Sequence, residues 1–444
     1  MKTRFIQIKN HLQSCTSRKR GSAALCFFMH KCLLWGVLCY ACQLSAQVTL
    51  LQCRDSAQQN YPLIRQYDLI RQAETYSLSN AGKAWLPGGA LGVQATLQSE
   101  VTAIPLSLPG VTIPELSKDQ YRIQMEIRQM IYDGGLIRNK KEMIRASALV
   151  SEQKWKVDMY ALNEQVDKLY FGILLLHEQL ILNDLLTADL NRTRQQTEQA
   201  LVFGVATPAD VDAVTVSCLD ATQQRINLEH TLCKYREMLS LLTGIRFSEA
   251  TSFIRPSGRL PGGWVNHRPE LALFDIEKKR IKVKRKQLTS LNLPVAELFM
   301  QGIYGRPGLN MLKNTPDWGW IGGIRISYTW QNRYTFRKDK LLLENEQLQV
   351  QVNQQTFLFN ADVQMAALQT ELNRIMNLMR QDDEIIRLRS QIVKASEAKL
   401  KNGTILINDL LRDIAAENSG RRQKCIHEIE YLQTIWQMKQ LTNN

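Results

Sequence analysis

The sequence predicts a mainly α-helical chain that carries four membrane-type β-strands and is built as two similar halves. Three observations lead there. Short motifs recur in the same order about 200 residues apart, long stretches keep a heptad pattern, and four segments of about ten residues alternate apolar and polar side chains. Asn60-Tyr61-Pro62-Leu63 returns as His267-Arg268-Pro269-Glu270-Leu271, and Trp85-Leu86-Pro87 as Asn292-Leu293-Pro294. A segment ending Ile131-Tyr132-Asp133-Gly134-Gly135 returns as one ending Ser327-Tyr328-Thr329-Trp330. Phe203-Gly204-Val205 with Asp210-Val211 returns as Asn402-Gly403-Thr404 with Asp409-Leu410. The offsets are 207, 207, 196 and 199, so spacing as well as order is kept.

The helices follow from heptad periodicity. Leu162, Val166, Leu169, Ile173, Leu176 and Leu180 step by 4, 3, 4, 3 and 4, which lays one apolar seam along a helix. Few breakers fall between Leu136 and Leu201, so this helix is expected to run roughly 65 residues, about 100 Å. Gly204 and Pro208 end it, and Asp210 stands at the start of a return helix from Pro208 to Leu242. The second half repeats the hairpin, with a helix from about Arg337 to Lys401, a break at Asn402-Gly403, and a return leg from Leu406.

The strands follow from period-two alternation. In Leu91–Gln98 and Tyr121–Arg128, apolar residues on one face oppose Gly, Gln and Thr, or Arg122, Gln124, Glu126 and Arg128, on the other. The segment Val295–Tyr304 alternates more weakly, while Ile324–Trp330, with Arg325 on its polar face, alternates cleanly. About ten residues is the length that crosses a bilayer as a tilted strand. Four strands cannot close a barrel, so further copies of the chain are required; a homotrimer supplies twelve. A half-buried soluble sheet would alternate in the same way.

The expected organisation is a signal peptide at 1–46 and a first repeat at 47–243, with strands near 90–99 and 121–132 and a hairpin at 135–243. A linker at 244–265 and a second repeat at 266–444 follow, the latter with strands near 295–304 and 321–330 and a hairpin near 337–440. Met29-His30-Lys31, the apolar run Cys32–Cys42 and Leu44-Ser45-Ala46 read as an export signal, with Met29 a candidate start. Cys42 also resembles a lipoprotein attachment site, although Cys39 stands where such sites usually have Leu. Seven of the net +14 charges lie in residues 1–46, so the remainder carries +7. No basic run is interleaved with aromatics, which argues against a nucleic-acid surface.

Catalytic and metal chemistry find no footing. The four His beyond residue 46 (His177, His230, His267, His427) have no metal-ligand spacing, and Gly88-Gly89 and Gly262-Gly263 open no phosphate loop. Asp382-Asp383-Glu384 reads as a solvated helix face. Cys218 and Cys233 lie on one helix about 22 Å apart, too far to bond, and read as small core residues. No cofactor is expected. Trp85, Trp318, Trp320 and Trp330 flank strands, where interfacial aromatic girdles belong.

In these motifs the chain resembles the TolC family of outer-membrane efflux proteins. The resemblance rests on the Leu-rich start Val48–Ala57 with Asn60-Tyr61-Pro62, Ala84-Trp85-Leu86-Pro87, Gln129–Gly135, Tyr170-Phe171-Gly172-Ile173-Leu174 and both hairpin tips. It implies a trimer whose strands form an outer-membrane barrel in lipid and whose hairpins form a long periplasmic α-barrel. It also implies docking to a periplasmic adaptor and an inner-membrane pump of the RND or ABC type. The chain would then be a passive exit duct for tripartite efflux or type I secretion; a periplasmic adaptor or a coiled-coil envelope protein are the competing readings. Phe203-Gly204 and Asp210-Val211, and Gly403-Thr404 and Asp409-Leu410, match the family's two tips, which form the periplasmic entrance and docking surface. Arg412 stands where the family has a further acid, Ile405 where it can have a gating Arg, and pairing of Asp409 with Arg412 would lower the charge of an aperture ring. Arg122, Gln124, Glu126, Arg128 and Arg325 would face the barrel lumen.

Overall fold

The computed structural model describes residues 47–102, 116–260 and 265–443. The expected export signal, with Met29, Cys39 and Cys42, and the pair Gly262-Gly263 lie outside them. Strand β1 (Gln47–Val48) leads into α1 (Leu50–Asn60) and α2 (Ile64–Gly82). Strands β2 (Gly88–Leu97) and β3 (Asp119–Tyr132) precede the long α3 (Leu136–Val202) and its return leg α4 (Pro208–Thr243). After β4 (Ser252–Phe253), the order continues with α5 (Pro269–Ser290), β5 (Val295–Arg306), β6 (Asp317–Ser327), α6 (Gln331–Lys401) and α7 (Ile407–Thr442). At 67 and 71 residues, α3 and α6 are each about 100 Å long.

Local chemistry fixes the element ends. Thr49 caps α1 through a reciprocal box with Gln52, and Pro62 interrupts the helix path before α2. At the β3–α3 junction, Asp133 accepts hydrogen bonds from the backbone N–H groups of Gly135 (2.9 Å) and Ile137 (2.6 Å). Gly134 and Gly135 both take positive φ there, at 65° and 80°, so the strand turns into the helix where only glycine is unstrained. The fourth strand ends at Ser327, short of the expected Trp330, and its helix begins at Gln331 rather than Arg337. Asn332 donates to the Leu291 carbonyl (2.9 Å), which ties the helix start to the end of α5 and stops the strand early.

The main core lies midway along the helices. Leu50, Cys53 and Ala57 of α1 pack against Val166, Tyr170 and Ile173 of α3, with Leu239 of α4 and Ile429 and Trp436 of α7 completing the cluster. The heptad seam of α3 is therefore covered by helices of the same chain. The Tyr170 hydroxyl donates to the carbonyls of Val48 (2.8 Å) and Ile254 (2.7 Å), and so fastens the parallel β1–β4 pair to α3. Burial pushes the Cys53 thiol up to about 12 and leaves it protonated and inert. A second cluster of Leu190, Val214, Cys218, Val393, Ile407 and Leu410 binds the two hairpins together nearer their tips.

Two readings are corrected. Cys218 is buried but Cys233 is exposed, because fifteen residues along a helix rotate the side chain about 60° off the core face. Asp382 is not on a solvated face: at 6% exposure it is hydrogen-bonded to Nδ1 of the equally buried His427 (2.8 Å) across α6 and α7. Its neighbours Asp383 and Glu384 do pair at the surface, with Lys424 and Arg387, each at 2.6 Å.

Arg54 of α1 donates through Nε to Asp167 of α3 (2.7 Å), and a second contact joins its Nη2 to the same carboxylate. Desolvation raises the Asp167 carboxyl above its ordinary range, with Arg54 opposing it. Arg54→Ala is expected to destabilise the fold by about 3–5 kcal/mol by stranding a buried carboxylate. The folded-state pKa of Asp167 then lies still further above the unfolded value, so stability is retained at low pH and lost as pH rises through the shifted pKa. Thermal melts of the variant between pH 4 and pH 8 check this; a flat difference from wild type contradicts it.

Candidate functional site: a two-faced sheet and two hairpin tips

The four long strands form one antiparallel sheet in the order β2-β3-β5-β6. Register assigns each side chain to a face. Ala90, Glu126 and Gln301 lie in one row, Gly92, Gln124 and Ile303 in the next, and Gln94, Arg122 and Gly305 beyond it. Arg128 pairs with Gly88 and Phe299, and Arg325 with Glu297, on the same face. The five residues assigned to a polar face thus share one side of the sheet.

Four of that side's charged groups interlock. Glu126 accepts from Arg128 Nε (2.8 Å) and from Arg325 Nη1 (3.2 Å), and Arg325 also reaches Glu297 (3.0 Å). The Arg325 guanidinium lies 4.4 Å from the Phe299 ring centre. This contact accounts for the weak alternation of β5, since Phe299 sits on the polar face beneath an arginine. Gln124 and Arg122 continue the polar surface without joining the ion-pair network.

The opposite side is apolar and bare. Leu91, Val93 and Leu97 of β2 are 72%, 73% and 84% exposed, and Ile324 and Ile326 of β6 are 66% and 72%. Met125, Ile127, Leu298 and Met300 continue that surface across β3 and β5. A continuous apolar face of this kind, backed by a polar face, is an interaction surface and not a core. Both edges, β2 and β6, lack a strand partner among the described residues. Aromatic residues mark both ends: Tyr121, Trp318 and Trp320 at the loop end, and Trp85, Tyr132, Tyr328 and Trp330 at the helix end.

At the tips, Gly204 (φ 74°) and Gly403 (φ 68°) take the left-handed conformation that ends α3 and α6. Asp210 accepts from the Thr207 backbone N–H (2.8 Å) and hydroxyl (2.7 Å), and the Asp210 N–H returns a bond to the Thr207 hydroxyl (3.3 Å). Those bonds hold its carboxyl below the usual range, the backbone contribution being the largest. Asp409 accepts from the Leu406 N–H (3.4 Å) and pairs with Arg412 (3.3 Å). Thr404 donates to the Lys399 carbonyl (2.9 Å), and Val211 is half-buried on the first turn of α4. Both tip acids therefore act as helix caps, and Asp409 carries a cationic partner one turn on. Two other side chains here, Val205 and Leu406, carried no role in the sequence, and Phe203 entered only through its match to the family's first tip. Phe203, Val205 and Leu406 are 81%, 74% and 69% exposed, and their signal was apolar residues beside a helix-ending glycine.

Two substitutions one residue apart separate the faces. Met125→Arg on the apolar side is expected to cost about 2–4 kcal/mol in a bilayer, and Gln124→Arg close to nothing. Denaturant unfolding in lipid vesicles checks this, and equal costs would contradict the facial assignment. At the tips, loss of Thr207 in Thr207→Ala removes the cap and is expected to cost about 1 kcal/mol, read as a lowered thermal midpoint.

Comparison with known proteins places these features. Residues 53–245 match the family described as outer membrane efflux protein. No curated protein sequence matches the chain significantly. Among solved structures, the fold is similar to VceC of Vibrio cholerae, at 12% identity and a TM-score of 0.64 over 89% of this chain and 96% of that one. It is similar to CusC at 14% identity and a TM-score of 0.67, over 88% and 91% of the two chains. The open state of the Neisseria gonorrhoeae MtrE outer membrane channel gives 16% identity and a TM-score of 0.59, over 89% of each. VceC is an outer membrane protein, CusC forms a transmembrane channel, and MtrE is an outer membrane channel. Residues 53–245 are therefore similar to the outer membrane efflux protein family, and the described chain as a whole shares the fold of these outer-membrane proteins.

Proposed function

We propose that three copies of this chain close a twelve-stranded barrel in the outer membrane and serve as a passive exit duct. The observation that carries this is the two-faced sheet with two open edges. Its strands alternate in direction across an even count of four, so β6 of one copy meets β2 of the next antiparallel, and closure leaves no edge. The apolar face then meets lipid, and Arg122, Gln124, Glu126, Arg128 and Arg325 line the lumen. From Trp318 to Ser327 the strand rises about 31 Å, or about 23 Å along the normal at a typical barrel tilt, close to the height of an outer-membrane apolar band.

The hairpins extend about 100 Å into the periplasm. Their tips, with Gly204, Asp210, Val211, Gly403, Thr404, Asp409 and Arg412, face a periplasmic adaptor and an inner-membrane pump. Energy comes from that pump, and the duct itself performs no catalysis. Small molecules or polypeptide would both fit such a passage. An adaptor or a coiled-coil rod is disfavoured because neither has use for an exposed apolar sheet face.

The test is the mature protein in membranes. It is expected in the outer-membrane fraction as a trimer that dissociates on heating, and to form channels in planar bilayers. A soluble monomer would overturn the proposal. If the second tip lines the aperture, Arg412→Ala frees the Asp409 ring and shifts ion selectivity towards cations, whereas Asp409→Ala shifts it the other way. Unchanged selectivity in both would restrict these residues to capping.

A further inference from the structure

Between residues 278 and 290 the chain has seven basic residues and no acid: Lys278, Lys279, Arg280, Lys282, Lys284, Arg285 and Lys286. This is the last half of α5, which ends at Ser290 just before β5 begins at Val295. The helix starts beside it are also basic. Arg138, Lys140, Lys141 and Arg145 open α3 with Glu142 as the single acid, and Arg333, Arg337, Lys338 and Lys340 open α6 with Asp339. All three stretches lie where the strands pass into helices. They form a basic collar directly beneath the aromatic residues Trp85, Tyr132, Tyr328 and Trp330.

The collar contains a cavity of about 430 Å³ lined by Trp85, Arg138, Lys141, Arg145, Glu142 and Asp133, with Ile137. Its two acids are already engaged. Asp133 accepts the N–H groups of Gly135 and Ile137, and Glu142 is paired with Arg138 (3.6 Å) and Lys286 (3.4 Å). Lys141 and Arg145 form no ion pair among the described residues, and the Trp85 ring is 40% exposed at the cavity rim. An aromatic amphiphile beside unpaired cations, at the level where an apolar band gives way to a charged helical surface, matches a lipid headgroup in polarity and in height.

We propose that this cavity binds the headgroup of an anionic phospholipid of the periplasmic leaflet. Lys141 and Arg145 take the phosphate with Arg138, held by Glu142, at its side, Trp85 packs on the glycerol region, and Lys282 extends the attraction along α5. The assignment rests on the outer-membrane duct reading, which sets the height of the leaflet.

Native mass spectrometry of the detergent-solubilised trimer, given equal phosphatidylglycerol and phosphatidylcholine of one chain length, tests it. Wild type is expected to retain phosphatidylglycerol roughly tenfold over phosphatidylcholine, the scale of one or two unpaired basic residues at a lipid surface. The triple variant Arg138→Gln/Lys141→Gln/Arg145→Gln should fall to parity, while Arg138→Lys/Arg145→Lys and the distant, exposed Lys234→Gln keep the preference. Equal retention of both lipids by wild type overturns the proposal, as does full preference in the triple variant. Displacement of the lipid by millimolar inorganic phosphate also overturns it, by assigning the cavity to a free anion. Should the triple variant fail to assemble, the wild-type lipid ratio and the phosphate competition decide alone. A wild-type chain that forms no membrane trimer fails the duct reading itself, which is a distinguishable result.

Discussion

The controlling constraint is that a strand edge cannot be left unpaired in an apolar medium. The sheet of this chain presents hydrocarbon on one face and has two open edges, β2 and β6, among the described residues. Water disfavours the face and lipid disfavours the edges. Only closure with other copies of the same four-stranded unit satisfies both, and an even strand count allows it without a parallel junction. The rest of the molecule follows from placing that unit on long helices.

The polar face and the helical body solve related problems by different means. On the sheet, Glu126 lies between Arg128 and Arg325, so charges that would be costly alone are neutralised within hydrogen-bonding distance. In the helices the expensive groups are paired across neighbouring elements. Arg54 with Asp167 ties α1 to α3 beside the main apolar cluster, and His427 with Asp382 ties α6 to α7 nearer the tips. The tips are built more lightly, from helix caps and a pair of left-handed glycines, with exposed Phe203, Val205 and Leu406 around them. A stable waist and lightly held ends are consistent with the proposed duct, whose least-held segments are the hairpin tips.

Much of this was legible in the sequence because it is written in period and order. Heptad steps from Leu162 to Leu180 and the alternation of Tyr121–Arg128 are local signals, and α3 and β3 follow them closely. The capping role of Asp210 and the pairing of Asp409 with Arg412 were also readable, since both depend on contacts three residues apart. What escaped depends on side chains brought together from afar. Phe299 breaks the alternation of β5 because Arg325, from the neighbouring strand, covers it. Asp382 looks like its acidic neighbours along the chain, yet its direction on α6 points it at His427, forty-five residues away. The collar was hidden by averaging: a net charge spread over the whole chain conceals three basic stretches that meet only at the sheet–helix junction.

The most direct test of the central claim is the side-by-side accessibility of adjacent strand positions in membranes. Single cysteines would be placed at Val93 and Gln94, Ile123 and Gln124, and Ile324 and Arg325, in a chain whose native Cys53, Cys218, Cys233 and Cys425 are replaced by serine. A water-soluble maleimide is predicted to label Gln94→Cys, Gln124→Cys and Arg325→Cys through the lumen, and to spare Val93→Cys, Ile123→Cys and Ile324→Cys in lipid. Equal labelling of both members of each pair would mean that the apolar face meets water, and would contradict a membrane barrel.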